Sequence, residues 1–252
     1  MKLPHKLFSY VVTVLSVLPA APGYAAVALD RTRAVFNGDL KSVSMTVSND
    51  SKELPYLAQG WLENAEGKKI HDPLVVLPPV QRIEPKTKSQ VKIQALPSIA
   101  ALPQDRETLF YFNLREIPPR SKTPNSLQLA LQTRIKLFYR PQAIVPGRNT
   151  VPFQEQLTLT RVGEKYRVNN PTPYYITLID GRSSETGPSV KGFTPLMVAP
   201  KSEAMLAVSA TALGSHPILS YINDFGGRPK LKFTCRGNEC KASPIKIASH
   251  SD

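Results

Sequence analysis

The chain of 252 residues carries 32 lysines and arginines against 19 acidic residues, which gives a formal net charge of +13. Its length suffices for one large domain or two of ordinary size, each with a sizeable core. The basic residues are spread along the chain and no DNA- or RNA-binding motif is present, so we do not expect a nucleic-acid partner. An acidic protein partner, or solubility alone, explains the charge better.

The first 25 residues have the features of a secretory signal peptide. Lys2 and Lys6 precede an apolar run at 7–18, and small residues near Ala25 favour cleavage after that position. Cleavage removes two lysines and no acid, which lowers the net charge from +13 to +11. No later segment reaches the roughly 20 apolar residues that a membrane span requires. We therefore predict an exported mature protein without membrane insertion.

Short segments in which apolar and polar residues alternate recur along the rest of the chain. This period of two is typical of half-buried strands, and turn signals separate the segments at spacings suited to a β-sandwich. Long helical periodicity is missing, and 24 prolines argue against long helices. The apolar positions of these predicted strands are Val43, Met45, Val47; Val91, Ile93, Ala95; Phe110, Phe112, Leu114; Leu157, Leu159; Tyr174, Ile176, Leu178; and Leu231, Phe233, Cys235. The pattern predicts an all-β protein.

A boundary between two domains is predicted at the segment RPQAIVPGRNTVP, which begins at Arg140. Prolines and a glycine interrupt the strand pattern there, as expected for a linker. After a signal peptide at 1–25, we predict an N-terminal β-domain at 26–143 and a C-terminal β-domain at 144–252.

The segment LQLALQTRIKLFYRP is predicted to be one strand with two different apolar patterns. In its first half, Leu127, Leu129 and Leu131 alternate with glutamine or alanine, so that one face is apolar. Its second half, 135–139, is apolar on both faces except at Lys136. An isolated ammonium group is costly to bury, and the sequence pattern alone does not explain why a strand combines these features.

Four charged residues stand inside apolar strand segments: Arg33, Glu107, Lys136 and Asp224. The default expectation for one such charge is that it points to solvent from a half-exposed strand face. The alternative is that these charges are buried and have partners.

The two cysteines, Cys235 and Cys240, stand in the segment CRGNEC. In an exported protein such a pair is more readily a disulfide than a metal site, and the spacing is not that of a C-x-x-C redox motif. By loop entropy so short a ring contributes only about 2 kcal/mol. We predict a disulfide that closes a hairpin locally.

Signals for an enzyme are weak. His71, His216 and His250 are far apart and lack metal-ligand spacing, and no nucleophile elbow, P-loop or dinucleotide-binding motif is present. A triad assembled from distant residues stays open at this point. We predict neither catalytic activity nor a metal site nor a cofactor.

Five segments together closely resemble the periplasmic pilus chaperones. They are LDRTRAVF, LPQDRETLFYFNLREIPPR, LQLALQTRIKLFYRP, NPTPYYITLI and SYINDFGGRP. The second is the most specific, because it combines a charged triplet, alternating aromatic residues and a double proline at fixed spacing. The likeness extends from Ala26 to about Cys240; it is weaker in DGRSSETGPSVKG, and the tail after Cys240 matches nothing.

The resemblance implies two immunoglobulin-like β-sandwich domains set at an angle, in a periplasmic protein. It also implies a function: the chaperone binds pilus subunits one to one by lending a strand to a subunit that lacks its own last strand, which is donor-strand complementation. It then caps them and delivers them to an outer-membrane usher. Exposed leucines on the lent strand favour self-association of the free protein.

The same resemblance implies which residues bind the subunit. Leu127, Leu129 and Leu131 match the donor strand, whose leucines fill the groove of the subunit. Arg33 and Lys136 match two cleft cations that resemble an anchor for the terminal carboxylate of the subunit.

The resemblance further implies a charged network between the domains, formed by Glu107, Arg140 and Asp224. This network would hold the two sandwiches at their working angle. The short connection PPRSKTPN ahead of the donor strand resembles the branch of the family that builds rod-like pili.

Two other classes of protein compete with this interpretation. A pilus subunit or secreted β-sandwich adhesin is disfavoured by the two predicted domains, by Lys136 in IKLFYRP and by the lack of a donor-like extension before VALDRTRAVF. An exported hydrolase on a β-scaffold is disfavoured by the few histidines.

Overall fold

The computed structural model describes residues 26–121, 124–147 and 150–245. The predicted signal peptide, 1–25, lies outside these residues, as does the end of the tail, 246–252. Within the described part, none of the helices has both the length and the apolar character needed to cross a membrane.

The first half of the chain forms two facing β-sheets. A four-stranded sheet has the order β1-β3-β8-β6, and a six-stranded sheet has the order β2-β10-β9-β4-β5, with β7 paired to β4. Its strands are β1 (Val27–Leu29), β2 (Arg33–Asn37), β3 (Ser42–Asn49), β4 (Tyr56–Glu63), β5 (Lys69–Ile70), β6 (Leu74–Leu77), β7 (Val80–Ile83), β8 (Lys88–Ala95), β9 (Thr108–Ile117) and β10 (Gln132–Arg140). Strand β2 lies parallel to β10, and the other pairs are antiparallel.

One hydrophobic core lies between these two sheets. Alternate residues of β3 and β8, such as Met45 and Ile93, meet alternate residues of β9 and β10, such as Phe112 and Leu137, and all four are almost fully buried. The period of two in the sequence therefore corresponds to a buried face on each sheet. Peptide bonds Asp72–Pro73 and Leu77–Pro78 at the ends of β6 are cis.

The second half of the chain forms one continuous sheet that folds over its own core. The strand order is β14-β13-β16-β17-β18-β11-β12-β15. The strands are β11 (Thr158–Val162), β12 (Lys165–Asn170), β13 (Ile176–Arg182), β14 (Leu196–Val198), β15 (Ser202–Ser209), β16 (Ile218–Ile222), β17 (Lys230–Arg236) and β18 (Glu239–Pro244). Leu159, Val168, Leu178, Leu219 and Phe233 meet in this core. One short α-helix, Ala210–Leu213, follows β15.

Two short 3-10 helices, Gln142–Ile144 and Phe153–Gln156, stand between the two cores, and a third, Pro97–Ala101, follows β8. The predicted all-β fold with two sandwich domains is confirmed, since each half of the chain encloses its own core. The boundary between 143 and 144 falls inside the first linker helix and stays a prediction.

The predicted strand at LQLALQTRIKLFYRP is wrong at its beginning. Strand β10 starts at Gln132, and residues 127–131 are not in a strand. The pairing of β10 with β9 ends at Gln132 opposite Arg115, followed by one backbone bond from Glu116 N–H to the Leu131 carbonyl, at 3.0 Å. Because no strand of the described residues pairs with Leu127 or Leu129, the alternating pattern alone does not form a strand there.

The predicted disulfide between Cys235 and Cys240 is confirmed. The two cysteines are directly opposite each other on the antiparallel hairpin of β17 and β18. Gly237, with φ of +60°, lies in the tight turn between these strands. The bridge therefore closes a hairpin locally, as its short spacing predicted.

Candidate functional site: the cleft between the domains

The parallel pair of strands β2 and β10 forms one wall of a cleft between the two domains. Arg33 and Lys136 stand opposite each other in this pair, and Asn37 stands opposite Arg140. Because side chains alternate along a strand, these residues share one face of the sheet. That face meets the second domain, since Phe138, on the same face, stacks on the Tyr175 ring with centroids 5.6 Å apart.

Arg33 is a buried cation at the base of this cleft. Its side chain is among the described polar groups that are almost fully buried, with 7% of the residue exposed. Its Nη1 donates to the Ile222 carbonyl at 3.1 Å, and its guanidinium lies 5.8 Å from the centre of the Phe138 ring. Its Nε is buried without a hydrogen-bond partner. Burial lowers the pKa of Arg33, and the more distant charges of Asp224 and Glu107 oppose this shift.

Lys136 lies beside Arg33 and is half-buried. Its Nζ donates to the Thr177 hydroxyl of the second domain at 3.3 Å. Burial lowers the pKa of Lys136, and the neighbouring positive charge of Arg33 lowers it further. Among the described residues, no carboxylate forms an ion pair with Arg33 or Lys136. Two adjacent, partly desolvated cations of this kind suit the binding of an anion.

The structure brings Glu107, Arg140 and Asp224 into one chain of ion pairs. Arg140 Nη2 lies 2.7 Å from Glu107 Oε1, and Arg140 Nη1 lies 2.8 Å from Asp224 Oδ2. The second carboxylate oxygen of Glu107 accepts a hydrogen bond from the backbone N–H of Tyr175 at 2.7 Å. The backbone N–H of Glu107 donates to the Pro173 carbonyl at 2.9 Å. Glu107 thus contacts both domains through its side chain and its backbone.

Aromatic rings surround Arg140. The Tyr174 ring centre lies 4.9 Å from its guanidinium carbon and the Phe153 ring centre lies 5.6 Å from it, while the two rings stack on each other at 4.1 Å. Such rings favour a buried cation through their electron-rich faces. Tyr174, Tyr175 and Thr177 all stand inside the segment NPTPYYITLI, but the sequence pattern predicted no role in the cleft for any of them.

Glu107 is nearly buried, and this burial raises its pKa from 4.5 to about 7, against the opposing effect of Arg140. A raised pKa means that the folded state binds the proton more tightly than the unfolded state does. The contribution of Glu107 to the free energy of unfolding is therefore fully present below pH 4.5 and is lost as the pH rises to about 7.

The free energy of unfolding can be compared between the wild type and Glu107→Gln at each pH. We expect the difference, wild type minus variant, to fall by on the order of 3 kcal/mol between pH 4.5 and pH 7. Glutamine has the same shape and no titration in this range. Urea unfolding at several pH values, followed by the fluorescence of Trp61, measures this difference. A difference that stays flat or rises with pH would mean that pairing with Arg140 outweighs burial.

The row of leucines before β10 is exposed. The exposed fractions of Leu127, Leu129 and Leu131 are 86%, 68% and 45%. No backbone hydrogen bond joins residues 127–130 to another described residue. The side chain of Gln128, on the opposite face, donates to the Pro119 carbonyl at 2.5 Å. Residues 127–130 therefore offer backbone groups that no other described residue binds through its backbone, and the row offers apolar side chains, to a partner strand.

Strand β10 continues from this row into the cleft. Ile135, Leu137 and Tyr139 belong to the core of the first domain, while Phe138 lies against the second domain. The two-sided apolar run is thus explained by a strand whose faces contact different domains. Beside strand β10, a cavity of about 440 Å³ is lined by residues that include Arg33, Arg140 and Asp224.

Two family models match the chain. Residues 26–145 match the pili and flagellar-assembly chaperone PapD N-terminal domain, and residues 152–233 match the pili assembly chaperone PapD C-terminal domain. The chain belongs to the pilus-assembly chaperone family. The predicted family resemblance is therefore confirmed.

Individual relatives agree with this assignment. The chain is 53% identical to chaperone protein PapD of Escherichia coli over 223 residues, which cover 88% of this chain and 92% of that protein. It is 48% identical to the probable fimbrial chaperone YfcS of Escherichia coli (strain K12), with 94% and 93% covered. These family members are pilus or fimbrial chaperones, and the matches run through both domains.

Two solved structures are similar to the whole two-domain fold. The periplasmic chaperone SfaE has a TM-score of 0.66 and 31% identity, covering 83% of this chain and 100% of its own. A structure of the Salmonella enterica SafA pilin in complex with the SafB chaperone has a TM-score of 0.69 and 26% identity, covering 85% and 99%. The second structure shows the SafB chaperone bound to a pilin.

Proposed function

We propose that this chain is a periplasmic chaperone that binds, folds and caps pilus subunits one to one by donor-strand complementation. The observation that carries the proposal is the exposed row of Leu127, Leu129 and Leu131, which is not part of a strand in the described structure and continues into β10. A strand of this kind is ready to pair with a subunit that lacks one. The row would become ordered as a strand when the subunit supplies the missing backbone partners.

The leucines would supply most of the affinity. A fully buried leucine contributes roughly 1.5 to 3 kcal/mol, so three of them contribute on the order of 5 to 9 kcal/mol before the cost of association is subtracted. The same exposed row favours self-association of the free protein.

Arg33 and Lys136 would bind the terminal carboxylate of the subunit and so fix the register of the added strand. Apolar side chains at alternate positions tolerate a shift by two residues, whereas a carboxylate held between two cations does not. The absence of an acidic partner for either cation among the described residues supports this role.

The network of Glu107, Arg140 and Asp224 would set the angle between the two domains. Its contacts with the backbone of Tyr175 and Pro173 support this role. After capping, the complex would pass to an outer-membrane usher, and the short connection before the leucines suggests subunits of a rod-like pilus. A protein that works in this way has no catalytic step and needs no cofactor.

Replacement of all three leucines in the row by serine is expected to abolish capture of a pilus subunit. Each side chain is exposed in the free protein, so the free energy of unfolding should change little. The measurement is co-purification from the periplasm with a panel of pilus subunits, each expressed singly, followed by native mass spectrometry of the complex. The wild type should carry one subunit per chaperone.

Leu40→Ser is the matched control for this experiment. Leu40 is 47% exposed in the first domain, lies outside the row, and should leave capture unchanged. Retention of a subunit by the triple variant would contradict a strand-lending mechanism. A wild type that polymerises or binds glycan instead of a subunit would favour the adhesin alternative.

A further inference from the structure

An exposed aromatic side chain stands at the rim of the cleft, on the second domain. Phe225 lies in the turn between β16 and β17 and is 98% exposed, the highest value among the exposed apolar side chains of the described residues. Phe225 lines the cavity of about 440 Å³ that Arg33 and Arg140 also line. It also lines a second cavity, of about 570 Å³, together with Phe153 and Pro229. Single exposed apolar residues are common on protein surfaces, but this one stands on a turn whose backbone is held by several hydrogen bonds.

The turn that carries Phe225 is held closed by its own hydrogen bonds. The side-chain oxygen of Asn223 accepts from the N–H groups of Phe225 and Gly227 at 3.1 and 2.8 Å. The backbone of Asn223 donates to the Gly227 carbonyl and accepts from the N–H of Gly226, both at 3.0 Å. All three N–H groups from Phe225 to Gly227 are thus bonded within the turn, which fixes the backbone from which the ring projects.

Contacts with the first domain fix the turn in place. Gly226 has φ of +84°, and a Cβ added there would lie 3.0 Å from the Thr32 hydroxyl, so the turn requires glycine at this point. Asp224 is held by Arg140. Ile222, the last residue of β16, accepts the hydrogen bond from Arg33. The turn therefore packs directly beside one of the two cleft cations.

The position along β10 indicates what Phe225 contacts. The leucine row precedes Lys136, whereas Arg140, which holds the Phe225 turn through Asp224, follows Lys136 by four residues. A partner chain that lies on the leucines and ends with its carboxylate at Arg33 and Lys136 brings its last residues towards this turn. An aromatic ring on a rigid turn buries a large apolar area there while only its two side-chain torsions are restricted.

We propose that Phe225 packs against an apolar side chain within the last two residues of the bound subunit, and so selects subunits by the chemistry of their terminus. This inference rests on the proposed function, because it assumes that the subunit carboxylate binds at Arg33 and Lys136. The leucines and cations accept any alternating strand with a free terminus, and Phe225 adds discrimination at the terminal residues. The partner is a polypeptide terminus that combines a carboxylate with an apolar side chain.

Photo-crosslinking tests the contact directly. p-Benzoylphenylalanine is placed at position 225 and, as a control, at Met205, another exposed apolar position of the second domain, 43% exposed. The probe is a subunit that co-purifies with the wild type. The crosslink from position 225 is expected to map to the last two or three residues of that subunit, and position 205 is expected to give none.

Affinity gives an independent readout. Phe225→Ala is expected to weaken binding of the subunit about tenfold, because part of the burial of one phenylalanine is lost. Phe225→Tyr keeps the aromatic ring and is expected to bind the subunit as tightly as the wild type does. Replacing the apolar side chain at the subunit terminus by serine should cause a similar loss with the wild type but little further loss with Phe225→Ala. Met205→Ala should bind as the wild type does.

The results separate this inference from the proposed function. If Arg33→Ala loses the subunit while Phe225→Ala binds normally and position 225 gives no crosslink to the terminus, the inference is overturned and the proposed function stands. If Arg33→Ala binds as the wild type does, or the wild type captures no subunit, the proposed function fails and this inference fails with it.

Discussion

Arg140→Ala is expected to lower the free energy of unfolding by about 3 to 5 kcal/mol at pH 8. The physical reason is that Glu107, 3% exposed, would lose the cation that opposes the effect of burial, so that at this pH it must either stay charged in a buried site or take up a proton. Glu107→Ala should be less damaging, because Arg140 retains its ion pair with Asp224, whose side chain is 31% exposed. Urea unfolding followed by the fluorescence of Trp61 measures both variants.

The double variant Glu107→Ala/Arg140→Ala should be less destabilised than the sum of the two single variants, since it leaves no buried carboxylate without a partner; Asp224 also loses Arg140, but its side chain is partly exposed to solvent. If the losses in free energy of unfolding of the two single variants simply add in the double variant, Glu107 and Arg140 are not coupled. The two residues would then not act as one network.

A second ion pair between the domains provides the control. Asp105 and Lys201 lie 2.6 Å apart and are 53% and 41% exposed. Asp105→Asn should have little effect on stability, because solvent screens an exposed pair. The contrast between the two pairs shows the effect of burial, since Asp105 and Glu107 stand two residues apart in the same segment but differ in exposure.

Lys136→Met is expected to abolish capture of a pilus subunit while leaving the free protein as stable as the wild type, or more stable. Methionine has a similar length and no charge, so it removes an ammonium group whose burial lowers its pKa and which has no acidic partner among the described residues. Loss of one cation from a carboxylate held by two should weaken binding by about 2 to 5 kcal/mol, which is roughly 30-fold to several thousandfold.

Co-purification with a subunit, together with urea unfolding of the free variant, measures both halves of this prediction. Arg33→Ala should show the same loss of the subunit. Lys92→Met, on the exposed face of β8, removes an identical charge elsewhere in the same domain and should retain the subunit. Loss of stability in parallel with loss of binding would indicate that Lys136 is a structural residue rather than an anchor for an anion.

These two sets of variants are expected to behave in opposite ways. Arg140 and Glu107 satisfy each other inside the folded chain, so breaking their pair reduces stability. Arg33 and Lys136 lie side by side in register and repel each other, so removing the charge of Lys136 relieves the free protein and weakens only the complex. A binding site that is partly unfavourable before its ligand arrives is a common compromise between stability and function.

Much of the fold follows from local patterns in the sequence. Alternation predicted strands such as β3, β8 and β9, because a period of two places one face of a sheet in a core wherever that core lies. The disulfide between Cys235 and Cys240 was predictable for a similar reason, since both cysteines belong to one short hairpin. The segments of the family resemblance located the charged residues but gave no distance between them.

Only the tertiary structure decided where strand β10 begins and which charges have partners. Leu127 has the pattern of a strand residue, but a strand needs a neighbour for its backbone hydrogen bonds, and no strand within the described ranges pairs with it. Arg33 and Arg140 are both cations in apolar segments. Arg140 is paired with Glu107 and Asp224, whereas Arg33 forms no ion pair with a described residue. That difference arises from the packing of the second domain against β2 and β10, which joins residues more than 80 positions apart, and no local pattern in the sequence records it.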